Sequence, residues 1–133
     1  MLGGTVERTF GERDGAPLGI LVALAAPMAA GALVARLDEE FGGLEAVVPG
    51  GSAPVARVAS ARAMTDALVR EAAGLGAALW LTGELRRPGE PALRASGMHA
   101  VAVGHRRSER WALARLGRLL GEAEPAMRLA FAY

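Results

Sequence analysis

The sequence predicts a single α/β domain over residues 1–133, with a mostly parallel sheet, flanking helices and an antiparallel hairpin at one edge. Its 133 residues, 52% of them hydrophobic, suit one domain that buries a substantial core. From Val55 onward, strand-like and helix-like segments alternate, which is typical of right-handed crossovers between parallel strands. Asp14 and Gly15 lie between two predicted strands, as expected for the tight turn of a hairpin.

Two strands, a helix and a short third strand are predicted before residue 50. Thr5–Phe10 is predicted as a strand and forms the hairpin with Leu18–Ala25, an apolar run that is predicted as a buried strand. A helix is predicted at 27–41, because it begins with proline, a favoured first helical residue, and a Gly-Gly pair follows it as a stop signal. Leu44–Val48 is a short strand, and a Pro-Gly-Gly-Ser loop follows it.

The second half of the chain continues the alternation of strands and helices. Ser60 is expected to cap a helix that buries Met64 and Leu68. Pro91–Ser96 has the features of a short helical turn. The other predicted elements are strands at Val55–Ala59, Ala77–Leu81, Met98–Val103 and Ala126–Tyr133, and a helix at Ser108–Leu120.

The composition excludes several kinds of chemistry. The chain has no Cys, which excludes thiol nucleophiles, thiolate metal sites and disulfides. Its basic residues are all Arg, so a lysine Schiff base is excluded as well. The formal net charge of +1 gives no field for non-specific binding to nucleic acid, and we expect no nucleic-acid partner.

The segment from Gly15 to Ala35 carries no charge and is long enough to span a bilayer. Its Ala and Gly content, the interruption at Pro27 and the lack of a preceding basic region argue against a membrane span or a signal peptide. Its second half also has helical periodicity, with Leu33 and Leu37 on one face. We therefore expect no membrane association and a cytoplasmic location.

Two polar clusters follow neighbouring predicted strands. Thr82-Gly83-Glu84 comes after one strand and Gly104–Glu109 after the next. In open α/β sheets, ligands bind beyond the carboxyl ends of the strands, so these clusters are the candidate site. The Arg pairs 86/87 and 106/107 flank the same edge.

Glu109 is the most informative residue of these clusters. It shares one helix face with three leucines, Leu113, Leu116 and Leu120, so its carboxylate is expected to point inward and to be at least partly buried. His105 lies four residues earlier, and an imidazole and a carboxylate so placed can bind one divalent ion. The alternative is that Glu109 is favoured near the helix start by the dipole and that His105 satisfies a backbone group.

The other polar residues have two interpretations each. Glu84 is a candidate general base or third metal ligand, or else a solvated loop residue. Arg106 and Arg107 are candidate anion ligands, or else part of a solvated edge. His99 is expected to be a satisfied core or interface residue instead of a ligand, and Trp80 and Trp111 are expected to pack instead of serving as stacking platforms.

The run Ala77–Glu84 (Ala-Ala-Leu-Trp-Leu-Thr-Gly-Glu), followed by Gly104-His105 and Ser108-Glu109-Arg110, resembles the Nif3-like (DUF34) family. Members of that family carry a Thr-Gly-Glu or Thr-Gly-Asp strand end and a Gly-His-x-x-Thr-Glu motif. The resemblance extends over nearly the whole chain, but it corresponds to only the C-terminal half of a typical member.

The resemblance implies an α/β subunit that assembles into a ring-like hexamer with a two-metal site. Bacterial members are often labelled as GTP cyclohydrolase homologs, and their true substrate is unsettled. His105 and Glu109 match the C-terminal metal ligands of the family. The N-terminal His-His pair and carboxylate ligand of the family have no counterpart here, and Arg86-Arg87 stands where a His-His pair usually follows Thr-Gly-Glu.

Two functions follow from these residues and the resemblance. The first is a protein with a degenerate or partial divalent-metal site that hydrolyses a nucleotide-like or phosphorylated small molecule. Glu84 would then be the catalytic residue that moves a proton, and Arg106 and Arg107 would hold the anion. The second is a non-catalytic, oligomeric structural or interaction module that has lost the metal centre. A second polypeptide that supplies the missing ligands is a further alternative.

We expect a homo-oligomer with either function. The apolar content is high for so small a domain, and the hairpin forms an edge of the predicted sheet, where few charges would prevent pairing with another chain.

Overall fold

Residues 4–61 and 63–123 are described in the computed structural model, with side chains described as far as Arg115. Their elements, in chain order, are β1 (Thr5–Arg13), β2 (Ala16–Met28), α1 (Ala30–Phe41), β3 (Ala46–Val48), β4 (Val55–Ala61), α2 (Asp66–Gly74), β5 (Leu79–Thr82), α3 (Glu90–Ser96), β6 (His99–Ala102) and α4 (His105–Ala123). A short 3₁₀ turn at Arg87–Gly89 precedes α3. The strand predicted at Ala126–Tyr133 lies outside the described residues.

The six strands described form one sheet in the order β1-β2-β4-β5-β6-β3. The β4–β5 and β5–β6 pairs are parallel, whereas the β1–β2, β2–β4 and β3–β6 pairs are antiparallel. The prediction of a mostly parallel sheet is therefore wrong, and the sheet is mixed. The chain leaves β2, crosses the sheet through α1 and enters β3 in the direction of β2, so β2 and β3 both oppose the three parallel strands between them.

The predicted hairpin is confirmed, and both of its strands are longer than predicted. Arg13 pairs with Ala16, and Asp14 and Gly15 form the two-residue turn with φ values of 53° and 80°. Two consecutive positive φ angles match the right-handed twist of the flanking strands, which is why this dipeptide is typical of hairpins.

Three helix starts differ from the prediction by several residues, among them that of α4, which begins at His105 instead of Ser108. The first helix begins at Ala30 instead of residue 27, because β2 continues as far as Met28, which pairs with Val55. The cap of α2 is Thr65, whose Oγ1 accepts a 3.2 Å hydrogen bond from the backbone N–H of Leu68. Ser60, the predicted cap, lies within β4 instead.

Helices cover both faces of the sheet and give two apolar cores. One core joins α2 and α3 to the sheet, and its largest fully buried side chain is Trp80. The other joins α1 to the opposite face through Leu33 and Leu37, which pack with Val58, Leu79 and Val101. None of the described helices is long and apolar enough to cross a membrane.

Candidate functional site

A cleft lies where the three parallel strands end, as predicted for ligand sites in such sheets. It has a volume of about 360 Å³, and we call it the polar chamber. The residues that line it are Ala61, Ala63, Met64, Thr82, Gly83, Glu84, Arg86, His105 and Ser108. The structure thus brings the two predicted polar clusters to one place.

Backbone hydrogen bonds join the two clusters directly. The N–H of Gly104 donates to the carbonyl oxygen of Gly83 at 2.8 Å, and the N–H of Val103 donates to that of Thr82 at 2.9 Å. Thr82 also donates its hydroxyl proton to the carbonyl oxygen of Glu84 at 3.1 Å, which folds the strand end back on itself. These bonds extend the β5–β6 ladder by two residues and fix the first turn of α4 against the end of β5.

Gly83 allows this close approach. A Cβ at this position would lie only 3.2 Å from Oγ of Ser108 in the first turn of α4. The hydroxyl of Ser108 is itself held, because it donates to the carbonyl oxygen of His105 at 2.9 Å. A side chain at position 83 would therefore require the Ser108 hydroxyl to shift by a few tenths of an ångström.

His105 and Glu109 are neighbours on α4, with Nε2 and Oε1 2.9 Å apart. Their side chains are 66% and 60% exposed, so the prediction that Glu109 is partly buried is wrong, whereas its predicted contact with His105 is present. The reason is the position of Trp111, which packs on Phe41 of α1. Side chains two positions apart on a helix, such as Glu109 and Trp111, point about 200° away from each other. Glu109 therefore faces solvent when Trp111 faces α1.

These residues do not by themselves form a complete metal site. No group of three or more His, Asp and Glu side chains in the described part of the chain could hold a metal ion. Structural and catalytic zinc sites use at least three protein ligands, and this helix offers two. Glu84, the predicted third ligand or general base, instead pairs with Arg86 at 3.0 Å.

The predicted anion ligands Arg106 and Arg107 lie in different surroundings. Arg107 donates to the carbonyl oxygen of Val103 at 3.4 Å. Its guanidinium lies against the backbones of Gly43 and Gly104, so close that a Cβ at either glycine would be 3.0–3.3 Å from it. Arg106 is exposed at the start of α4. Neither residue lines the polar chamber, whereas Arg86 does.

A second, apolar chamber of about 400 Å³ adjoins the polar chamber. The two share Ala61, Thr82, Gly83 and Ser108. The apolar chamber is lined in addition by Gly4, Ile20, Val22, Phe41, Val58, Ser60, Leu81, Val103, Trp111 and Ala112.

Two of these linings differ from the roles predicted for them. Trp111 packs on Phe41, in agreement with the packing role predicted for it, but it also lines the apolar chamber. Met64, which lines the polar chamber, is predicted to lie within the second helix, but it precedes α2. Sulfur of Met64 accepts a 3.2 Å hydrogen bond from the backbone N–H of Arg86. The feature of the sequence that could have indicated this role of Trp111 is its position two residues after Glu109, on the opposite side of the same helix.

Comparisons with known proteins agree with the fold and the motifs. Residues 1–132 match the Duf34/NIF3 (NGG1p interacting factor 3) family. No curated protein matches the chain at a significant level. Among solved structures, protein ybgI, described as of unknown function, is 28% identical with a TM-score of 0.69, and the match covers 91% of this chain and 47% of ybgI.

Two further structures are similar at lower identity. Reduced HcgD from Methanocaldococcus jannaschii is 15% identical with a TM-score of 0.67, over 88% of this chain and 47% of HcgD. A Bacillus cereus protein related to NIF3 is 18% identical with a TM-score of 0.57, over 80% of this chain and 30% of that protein. This chain thus spans less than half the length of these structures. The family match over residues 1–132 is nearly complete, and the chain belongs to the Duf34/NIF3 family.

Proposed function

We propose that this chain is a non-catalytic module of the Duf34/NIF3 family that lacks a self-contained metal centre. It acts as an oligomeric structural or interaction module. The observation that carries the proposal is the donor set of the candidate site. His105 and Glu109 are paired with each other at 2.9 Å, and the described residues add no third donor to make a metal-binding group. A divalent ion held by two exposed side chains on one helix keeps most of its water ligands and dissociates readily.

The state of Glu84 agrees with a non-catalytic role. Its carboxylate pairs with Arg86, and both side chains are more than 40% exposed, so solvent surrounds the group that would have to move a proton. A general base must reach the proton that it abstracts, and here the guanidinium occupies one carboxylate oxygen.

Metal analysis of the purified protein tests the proposal. After incubation with Zn²⁺ or Mn²⁺ and dialysis, we expect far less than one metal ion per chain in the wild type and in His105→Ala alike. Glu109→Gln serves as a second variant, because it removes the charge while keeping an oxygen near His105. One equivalent of metal in the wild type that is lost in His105→Ala would overturn the proposal.

The assembly part of the proposal rests on exposed apolar side chains. Val6 of β1 is 61% exposed, Ile20 of β2 39% and Val47 of β3 45%, and β1 and β3 are the two edges of the described sheet. Exposed apolar residues on edge strands favour pairing with a second chain. We expect light scattering to give a dimer or larger assembly that Val6→Asp or Val47→Asp weakens, and a monomer at micromolar concentration would contradict this.

A second candidate function is hydrolysis of a nucleotide-like or phosphorylated small molecule at a divalent-metal site completed by another polypeptide. The observation that favours it is the exposure of both donor atoms beside the polar chamber, which leaves them open to ligands from outside. In that case His105 and Glu109 supply two of the metal ligands, Glu84 moves a proton, and Arg106 and Arg107 hold the anion.

Phosphate release from GTP and from p-nitrophenyl phosphate, measured with added Mn²⁺, separates the two functions. The second function predicts metal-dependent turnover that falls by about 100-fold or more in Glu84→Gln, because general acid–base groups contribute at least that much. It also predicts the same loss in His105→Ala. No turnover above the buffer blank supports the non-catalytic module.

A further inference from the structure

The apolar chamber is a formed cavity with a floor and a wall of different character. Its floor consists of aliphatic side chains on neighbouring strands and just after β6, chiefly Val22, Val58, Leu81 and Val103. Its wall is made by helices α1 and α4, which contribute Phe41, Trp111 and Ala112. Its volume of about 400 Å³ lies within the range of small-molecule sites, which are roughly 300–1,000 Å³ and mostly apolar.

The aromatic wall is held in one orientation by three contacts of Trp111. Its ring lies 5.2 Å from that of Phe41 at an angle of 42°, and Arg115 lies 5.7 Å from its ring centre. Its Nε1–H donates to Glu40 at 2.7 Å. Since the only polar group of the indole is already bonded, Trp111 offers a ligand nothing but its aromatic surface.

The hydroxyl groups of Ser108 and Thr82, which line both chambers, can accept hydrogen bonds from a ligand. Ser108 donates its proton to the carbonyl oxygen of His105 at 2.9 Å, and Thr82 donates its proton to that of Glu84 at 3.1 Å. A hydroxyl group has one proton and two lone pairs, so both oxygens can still accept but have no proton left to give. A ligand in this cavity is therefore matched by N–H donors.

We propose that the apolar chamber binds a flat aromatic heterocycle with N–H donors, placed between the aliphatic floor and Trp111 and donating to Ser108 or Thr82. An apolar aromatic ring suits the floor and the wall, and N–H groups at its edge suit the hydroxyl oxygens. The inference goes beyond the proposed function, which concerns metal donors and assembly, and neither metal content nor oligomeric state decides it.

The two tryptophans of the chain allow a direct test by ¹H–¹⁵N NMR of the labelled protein. Trp111 lines the chamber, whereas Trp80 is fully buried in the core on the other face of the sheet. We use indole and benzofuran as probes, because these fused bicycles have the same shape and differ by one N–H donor. Indole is expected to shift the side-chain signal of Trp111 in a saturable manner and to leave that of Trp80 in place.

The donor argument predicts that indole binds more tightly than benzofuran by roughly 2- to 10-fold, the worth of one neutral hydrogen bond. Ser108→Ala and Thr82→Val are expected to reduce this preference, and the double variant is expected to abolish it. Ser52→Ala, in an exposed loop away from the chamber, is the matched control and should keep the preference. Equal binding of the two probes to the wild type would overturn the donor assignment.

Two alanines on α4 test the location of the site. Ala112 lines the chamber, and Ala114 is exposed on the same helix outside it. Because leucine fills space and keeps the helix stable, Ala112→Leu is expected to weaken indole binding at least 10-fold, whereas Ala114→Leu leaves it unchanged. Equal affinity in both variants, or no saturable shift of the Trp111 signal in the wild type, would overturn the proposal.

Discussion

The backbone N–H of Gly50 donates a 2.8 Å hydrogen bond to Nδ1 of His99, which ties the loop before β4 to the start of β6. An accepting Nδ1 carries no proton, so the neutral ring of His99 must carry its proton on Nε2. That atom is buried and has no partner among the described residues. His99 is thus an interior residue that holds a loop, in keeping with the core or interface position predicted for it.

The tautomer of His99 is the first prediction. Long-range ¹H–¹⁵N NMR of the ring at slightly alkaline pH is expected to show a pyridine-type Nδ1 and a protonated Nε2. The ring signals of the exposed His105, whose Nε2 lies near the Glu109 carboxylate, provide the second histidine of the chain for comparison in the same spectrum. A protonated Nδ1 in His99 would mean that the bond from Gly50 does not form.

The Gly50 backbone has no room for a side chain. A Cβ there would lie 2.3 Å from the carbonyl oxygen of Gly97 and 2.6 Å from the carbonyl carbon of Met98, and neither backbone can yield cheaply. We expect Gly50→Ala to lower the free energy of unfolding by about 1–3 kcal/mol, as overpacking typically does. Urea unfolding measures the change.

Gly51→Ala is the matched control, because the nearest atom to its Cβ would be 3.7 Å away. The φ angle of Gly51 is not positive, so alanine fits and also restricts the unfolded chain. Its stability is expected to stay the same or rise slightly. A loss in Gly51→Ala as large as that in Gly50→Ala would show that the loop does not approach β6 as described.

The ion pair of Glu7 and Arg57 predicts a dependence of stability on pH. A hydrogen bond from Arg57 at 2.8 Å lowers the pKa of Glu7 below its ordinary value of 4.5, and the same bond raises the pKa of Arg57. A carboxyl group whose pKa is lower in the folded state stabilises the fold above the unfolded pKa. This contribution is lost as the pH falls through the folded-state pKa.

Comparison of the wild type with Glu7→Gln checks this sign. The wild type is expected to be the more stable protein near neutral pH, and the difference should shrink when urea unfolding is repeated at about pH 3. Glu12→Gln, on the same strand, changes a carboxylate with no ion pair among the described residues and controls for general charge effects. A difference that grows on acidification would contradict the prediction.

The exposure of Glu109 predicts a small effect of its removal. Both members of its pair with His105 are more than half exposed, and such pairs contribute at most about 1 kcal/mol. We therefore expect Glu109→Ala to lower the free energy of unfolding by less than about 1 kcal/mol in denaturant. A loss of about 3 kcal/mol or more, typical of a broken buried pair, would show that the carboxylate is enclosed.

Local signals in the sequence were enough for the elements whose geometry is set by neighbouring residues. Asp14 and Gly15 predict the hairpin because few other residues accept two positive φ angles in succession. Thr82-Gly83-Glu84 and Gly104-His105 predict the cleft because parallel strands bring their ends together. The direction of β3 is not encoded in this way, since an apolar triplet pairs equally well in either direction.

The burial of Glu109 could not be predicted from its own face of the helix. Three leucines at the right spacing suggest an inward face, but the contact between Trp111 and Phe41 decides how the first turns of α4 are oriented. That contact joins residues seventy positions apart in the chain. Periodicity describes one helix, whereas orientation depends on what the helix packs against.

The position of β3 at the far edge has a consequence for the order of folding. Ala46 pairs with Ala102, the widest separation along the chain of any strand pairing described, and only three residues of each strand take part. Closing so long a loop costs entropy before any contact compensates for it, so this pairing should form after the β1–β2 hairpin and the β4–β5–β6 core. Until it closes, β6 has a free edge, and a nascent chain in this state is the form most exposed to pairing with the wrong strand.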